Sequence, residues 1–282
     1  MALFSGLLLA SDFDDTLLPT SRVRGAGAPP RSVSEENRAA LAYFIAEGGR
    51  FTVSTGRSAA TFAPFAAALP MNAPAIVSGG GALYDYGAKR YLAVTHLPDR
   101  AAADLADLAR RFPAAALELY HEDEVVWVVH PNEFSENHRR ITGTVLRPTA
   151  SVSAVAAPFH KALLEGEDAC LEALYAALAG EGLLAHYEAV FASPHMLELT
   201  AKGADKGAML LRLGRQFGVR REDLCAVGDH RNDLPMLKAA GRAFAPANAV
   251  AEVRALPGIT VVRSAESHAL QDVVARLAHE RH

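Results

Sequence analysis

Two aspartates two residues apart, Asp12 and Asp14 in Asp12-Phe13-Asp14-Asp15-Thr16, stand directly after the apolar run Gly6-Leu7-Leu8-Leu9-Ala10. The run predicts a short buried strand, and a chain leaving a sheet at that point aims side chains at a ligand. One such carboxylate suits a nucleophile and its neighbour an acid/base. A second acidic cluster, Gly228-Asp229-His230-Arg231-Asn232-Asp233, follows the apolar run Leu224-Cys225-Ala226-Val227. If the two runs are neighbouring parallel strands, Asp12, Asp14, Asp229 and Asp233 meet at one edge of the sheet. Carboxylates that close repel one another strongly unless a cation sits among them. Every ligand on offer is an oxygen, which favours magnesium over zinc. Thr55, ending Phe51-Thr52-Val53-Ser54, and Lys206, within Gly203-Ala204-Asp205-Lys206-Gly207, add a hydroxyl and an ammonium. Those are the donors that the non-bridging oxygens of a transferring phosphoryl group need.

Each signal also has a purely structural reading. Asp is favoured in any turn after a strand, Asp229 and Asp233 suit a helix N-cap and first turn, and Thr55 could simply end a strand. Lys206 at a helix start opposes the helix dipole, which favours a functional role. Arg57, in Ser54-Thr55-Gly56-Arg57, either supports that loop or makes a surface salt bridge. His230 and Arg231 read as solvent-facing. His121, His130, His138, His160 and His186 lack metal-ligand spacing and read as scattered side chains. Gly79 to Gly81 form no phosphate-binding pattern and read as a hinge. Arg139, Arg140, Arg147 and Lys161 read as solvated surface residues rather than as contacts to a substrate anion.

The elements that must position these groups alternate at first as strand and helix. Ser34-Glu35-Glu36 opens a helix through Ala46 that Gly48-Gly49 ends. Phe51 to Ser54 is a strand, Ser58 to Leu69 a helix and Ala75 to Val77 a strand. This alternation predicts a parallel sheet covered on both faces. From Tyr84 to about Glu188 the pattern changes. A helix is expected from Asp99 to Phe112, strands at Leu117 to Tyr120 and Glu124 to His130, and a short helix near Asn132 to Arg140. Strands follow around Thr144 and His160 to Leu164, then a helix from Asp168 to Ala179 and a strand from Leu183 to Tyr187. The core then resumes with a strand at Met196 to Leu199, a helix from Lys206 to Phe217, the strand Leu224 to Val227, and helices at Leu234 to Ala240 and Leu270 to Ala278. The expectation is an α/β protein: a Rossmann-like parallel-sheet core, 1–83 and 189–282, with an inserted α+β cap domain, 84–188.

The 282 residues allow one large domain or two smaller ones. With 28 basic and 32 acidic residues, the net charge of −4 gives no electrostatic case for nucleic acid or an anionic membrane. Met1 to Ala10 lacks a basic segment and reads as a strand rather than a signal peptide. No apolar run approaches the length of a membrane span. The two cysteines, Cys170 and Cys225, fall in different elements, and a reduced, cytoplasmic protein is expected. Oligomeric state is not legible.

In its ordered motifs the chain resembles the haloacid dehalogenase-like superfamily of phosphohydrolases, and within it the Cof-type (subclass IIB) sugar-phosphatase-like group. The motifs are Asp12 to Thr16, Ser54 to Arg57, Lys206 in its glycine-flanked segment, and Gly228 to Asp233; similarity outside them runs from about Leu7 through Asn248. Any one motif is weak, whereas the ordered set is specific. Three positions depart from the pattern: Gly80-Gly81-Ala82 stands where Asn-Gly-Ala is usual, the Pro19 to Arg31 turn is long, and Ser264 to His268 replaces an acidic-Gly signature. The resemblance implies a magnesium-dependent phosphatase acting on a small phosphorylated substrate, with sugar phosphates the expected class. Asp12 would be the nucleophile, forming an aspartyl-phosphate, and Asp14 the acid/base. Magnesium would bind Asp12, the backbone carbonyl of Asp14, Asp229 and, directly or through water, Asp233. Thr55 and Lys206 would hold phosphoryl oxygens, and Asn232 would orient Lys206 or a carboxylate. A phosphosugar mutase and a non-catalytic regulatory or binding protein are the alternatives.

Overall fold

A computed structural model describes residues 2–20, 32–122 and 125–281. The expected Pro19 to Arg31 turn lies mostly outside them, as does the start of the strand expected at Glu124. The first apolar run forms β1 (Leu8–Ser11), buried along its length. α1 (Glu35–Ala46) is capped by the Ser34 hydroxyl, which accepts from the Asn37 N–H, and Glu35 and Glu36 complement the helix dipole. β2 (Arg50–Val53) pairs parallel with β1. α2 (Ala59–Ala66) starts at Ser58, and β3 (Ala75–Val77) joins the sheet through a bridge between Ser54 and Ile76. An unforeseen hairpin, β4 (Ala82–Asp85) and β5 (Arg90–Val94), then builds antiparallel onto β3.

Next come α3 (Ala101–Arg111), β6 (Ala116–Tyr120), β7 (Val126–Val129), α4 (Glu133–Thr142), β8 (Leu146–Pro148), β9 (Lys161–Glu165), α5 (Asp168–Gly180), β10 (Tyr187–Ser193) and β11 (Met196–Ala201). Their strands form one sheet in the order β10-β11-β9-β6-β7-β8, antiparallel except at β7–β8. Two segments fall in sheets other than those expected. The hairpin after 84 extends β3, and β11, expected in the parallel core, pairs Leu197 with Leu164 inside the antiparallel sheet. The physical signal is the alternation Leu197-Glu198-Leu199-Thr200: a parallel core strand covered on both faces would be apolar throughout. Leu183 to Ala185, expected as strand, is a short 3-10 turn leading into β10.

The chain returns through 202–205 to α6 (Lys206–Phe217), β12 (Leu224–Val227), α7 (Leu234–Ala239), β13 (Arg242–Pro246), α8 (Ala251–Arg254), β14 (Ile259–Val262) and α9 (Ala269–His279). The parallel sheet has the order β14-β13-β12-β1-β2. Strand alternation divides its packing: Leu9 faces a core shared with Phe44 and Leu270, while Leu8 and Ala10 face Leu210 and Met236. The antiparallel sheet packs Leu117, Leu119, Leu164 and Leu197 against Leu105 and Leu174 of its helices. The protein is therefore α/β, with a parallel-sheet core and an inserted α+β cap. Among the described residues no helix is long and apolar enough to cross a membrane, and both cysteines are unpaired.

Candidate active site

β1 lies between β2 and β12, so the order of the chain reverses at its C-terminal end, the place where ligands bind in such sheets. The register pairs Ser11 with Val227, and Asp12 and Asp229 leave the sheet side by side. The Asp12 N–H donates to the Val227 carbonyl at 2.8 Å, fixing that exit. Carboxylate oxygens of Asp12, Asp229 and Asp233 gather within 4.8 Å of one another, all three residues buried. The Lys206 ammonium, fully buried, donates to Asp12 Oδ1 and Asp233 Oδ1, both at 2.6 Å. Asp233 Oδ2 accepts the N–H groups of Asp229 (2.9 Å) and His230 (3.1 Å), so Asp233 shapes its own loop. The Thr16 hydroxyl donates to Asp229 Oδ1 at 2.8 Å.

Charge is under-compensated here. Burial, then repulsion from Asp233 and Asp229, holds the Asp12 carboxyl well above the usual range despite Lys206. Asp229 is pushed up to about 7 by burial and by Asp233, against the Thr16 hydrogen bond. Burial alone would lower Lys206, yet Asp12 and Asp233 together raise it. A cluster of oxygens that holds protons this tightly is suited to a hard divalent cation.

Asp14 stands apart from this cluster. Both of its oxygens are taken by Arg57, Nε to Oδ2 at 2.9 Å and Nη2 to Oδ1 at 2.8 Å. Arg57 is thus neither a bare loop support nor a surface ion: its side chain is buried, lies over the rings of Phe13 and Phe65, and clamps the expected acid/base. Thr55 is buried beneath the same loop, its Oγ1 accepting the Arg57 N–H at 3.1 Å. Asn232 lines the cavity with Oδ1 buried and, among the described residues, unpartnered, while Lys206 is held by Asp12 and Asp233.

Gly80, where the family pattern has Asn, adopts φ +101°, and a Cβ there would stand 2.1 Å from the Asp205 carbonyl carbon. The glycine segment is therefore no hinge: its backbone packs on the start of α6 and seats Lys206. The chain instead crosses between core and cap at 95–100 and 202–205.

Above the cluster lies a cavity of about 440 Å³, with Asp12, Asp14, Arg57 and Asp229 on the core side and Tyr120, Lys161, Glu165 and Met196 on the cap side. Lys161 and His230 correct the sequence reading. Lys161 is buried, bound to Glu198 Oε1 at 2.7 Å and the Gly56 carbonyl at 2.9 Å. His230 is half-buried on the cavity wall, and burial lowers its pKa. Arg139, Arg140 and Arg147 are exposed, as read. His138 meets Glu118 and Glu165, a grouping that no local spacing announces because its members come from three elements. Thr16 and Arg57 carried a usable signal, since both sit inside the quoted motifs.

The profile of the haloacid dehalogenase-like hydrolase family matches residues 9–273, and the chain belongs to that family. The chain shares its fold with a solved structure described as the HAD subclass IIB sugar phosphatase BT4131, at a TM-score of 0.80 and 17% identity over 96% of this chain and 98% of that one. Over 271 residues it is 26% identical to the 5-amino-6-(5-phospho-D-ribitylamino)uracil phosphatase YwtE of Bacillus subtilis, covering 87% of this chain and 89% of the relative. Over 266 residues it is 28% identical to the pyridoxal phosphate phosphatase YbhA of Escherichia coli, covering 90% and 92%. A haloacid dehalogenase-like hydrolase from Bacteroides thetaiotaomicron superposes with a TM-score of 0.80 at 23% identity, over 96% of this chain and 99% of that one.

Proposed function

We propose that this protein is a magnesium-dependent phosphatase that hydrolyses a small phosphomonoester, a sugar phosphate being the expected class, through an aspartyl-phosphate on Asp12. The observation that carries the reading is the convergence of Asp12, Asp229 and Asp233 with Lys206 below a cavity at the ends of two parallel strands. Relatives that are phosphatases of small phosphorylated compounds, matched over most of their length, support it.

Asp12, Asp229, Asp233 and the Asp14 backbone carbonyl are the oxygens that would hold magnesium. When bound, the ion supplies the positive charge that offsets the crowded carboxylates and the substrate phosphate. With that compensation Asp12 is ionised and attacks phosphorus in line, displacing the alcohol. Lys206 has one donor left after Asp12 and Asp233, and among the described residues Thr55 donates its hydroxyl proton to no group; both would be free for phosphoryl oxygens. Asp14 protonates the leaving oxygen and then takes the proton of the water that cleaves the acyl phosphate. For this, one Asp14 oxygen must leave Arg57, so substrate entry has to open that bidentate pair. The cavity size fits a small organic phosphate and excludes a folded phosphoprotein. The short acidic excess supports neither nucleic acid nor membrane as partner, and a cytoplasmic location is the reading consistent with two free thiols.

Phosphate release from a panel of sugar and cofactor phosphates, with and without magnesium, tests the proposal. Release that needs magnesium and vanishes in a folded Asp12→Asn variant is expected. Magnesium-independent release, or release that survives in Asp12→Asn, refutes it.

A further inference from the structure

Strand alternation that turns Leu117, Leu119 and Leu164 towards the cap helices turns Glu118, Tyr120 and Glu165 to the opposite face of the cap sheet. α4 lies across that face. Its cap residue Asn132 donates through Nδ2 to the backbone carbonyls of Glu165 (2.9 Å) and Ala114 (3.0 Å), which fixes the helix on the sheet. His138 of α4 is thereby held with Nδ1 3.3 Å from Glu165 Oε1 and 3.5 Å from Glu118 Oε2.

These groups are buried and short of partners. Glu118 is 0% exposed and Glu165 1%. Among the described residues, both Glu165 oxygens, Glu118 Oε1 and His138 Nδ1 lack a well-formed hydrogen bond, but Glu165 lies against Glu118, and burial together with that neighbour pushes its carboxyl up to about 9. Two carboxylates so placed need a shared proton or a cation between them, because burying both in the charged form is strongly unfavourable, and a metal ion can take the place of the proton. The nearest ammonium, Lys161, is already committed to Glu198 and the Gly56 carbonyl.

The separations indicate which ligand. A charge-assisted hydrogen bond between imidazole and carboxylate would draw the atoms to about 2.8 Å. Around a tetrahedral ion with bonds of about 2.0–2.1 Å, neighbouring ligand atoms stand about 3.4 Å apart. The 3.3 and 3.5 Å found here match the second case, and all three donors lie within 4.8 Å of one another. One imidazole with two carboxylates suits zinc and its first-row neighbours, whereas magnesium prefers oxygen alone. Tyr120 donates to Glu118 Oε2 at 2.5 Å, the kind of support that ligating carboxylates carry.

We propose that Glu118, His138 and Glu165 form a metal site in the cap that takes a zinc-like divalent transition ion, separate from the oxygen-only cluster at Asp12, Asp229 and Asp233. The ion ties α4 to β6 and β9. Because α4 supplies Phe134, Ile141 and Thr142 to the cavity wall, it also sets the shape of the space above the reacting phosphate.

The test is zinc binding by equilibrium dialysis to the full chain, stripped of metal and then given saturating magnesium to occupy the core cluster. One tightly bound zinc per chain is expected. His138→Ala and Glu165→Gln should each lose it, Asp229→Asn should keep it, and Tyr120→Phe should weaken it about 10- to 100-fold. Zinc should raise the unfolding temperature of the wild type and leave those of His138→Ala and Glu165→Gln unmoved. No zinc on the wild type, equal zinc on His138→Ala, or zinc lost with Asp229→Asn overturns the proposal. Should both cap variants fail to fold by circular dichroism, cobalt on the wild type decides. Intense visible absorption of a four-coordinate ion at one equivalent supports the site, and the pale spectrum of a six-coordinate ion overturns it.

Discussion

Replacing Lys206 by methionine tests the electrostatic account of the active site while shortening the side chain by only its terminal atom. The ammonium is fully buried and holds Asp12 and Asp233 at 2.6 Å each. Without it, three buried carboxylates face one another with no cation bonded to them among the described residues. Removing one partner of a buried ion pair costs about 3–5 kcal/mol, because the remaining charge is left uncompensated. In a chain of this size that corresponds to a fall in unfolding temperature of roughly 10 °C. Two dependences separate this cause from lost packing. Asp12 and Asp229 already hold protons above the usual carboxylate range, Asp229 to about 7, so both take up protons in the folded state as pH falls. The deficit of Lys206→Met should therefore be full above about pH 8 and shrink towards about pH 5. Magnesium, which binds the folded carboxylates, should close much of the gap. The measurement is urea and thermal unfolding of both proteins across that pH range in chelator and in magnesium. A variant within about 0.5 kcal/mol of the wild type in chelator at high pH, or a deficit indifferent to both pH and magnesium, refutes the reasoning.

Asp14→Asn should slow hydrolysis of alkyl phosphates by about 10²- to 10⁴-fold and aryl phosphates far less, because a good leaving group needs no acid; equal losses on both would remove Asp14 from that role. Gly80→Ala puts a Cβ against the Asp205–Lys206 backbone at a positive φ, so unfolding temperature and turnover should fall together. Unchanged values in that variant would show that the contact does not seat α6. His160 is held neutral, its pKa lowered to about 3 by burial and by Lys161, His96 and His121, while the unfolded chain protonates near 6.5. The unfolded state then binds the extra proton between those values, and stability falls by up to about 1.4 kcal/mol per pH unit as pH drops through the window. A His160→Gln variant should lack this slope in urea unfolding, and an identical slope would assign the acid sensitivity elsewhere.

The catalytic elements were readable because their signals are local. β1 and β12 are short apolar runs that end at aspartates, and α6 runs from Lys206 to Phe217 as expected because Asp205 caps it and Gly218 closes it in a left-handed conformation. β13 escaped because Arg242-Ala243-Phe244-Ala245-Pro246 has no sustained apolar run, its strand character coming from pairing with β12 and β14. β11 was visible as a strand and misplaced, since its alternation declares a one-sided sheet but not which sheet. Lys161 was misread for a related reason. Its partner, Glu198, lies on a strand whose membership of the cap sheet was itself unforeseen, so one half of a buried ion pair looked like a surface charge.

That buried pair also bears on how substrate reaches Asp12. Lys161 and His160 belong to the cap, and each reaches a core loop that serves the active site: Lys161 to the Gly56 carbonyl at 2.9 Å, His160 to the Ser78 hydroxyl at 3.1 Å. Any movement of the cap sheet away from the core must break both contacts. The ammonium is not stranded when this happens, because Glu198 travels with it on the same sheet and keeps it neutralised. Such a movement therefore exchanges two single hydrogen bonds for water, a small change on the scale of about 1 kcal/mol each, rather than breaking an ion pair. Gly56 sits between Thr55, proposed above as a phosphate contact, and Arg57, which clamps Asp14. The loop that contacts the cap is the loop that holds Asp14, so on the proposed mechanism closure over a substrate and release of Asp14 for proton transfer would act on the same few residues.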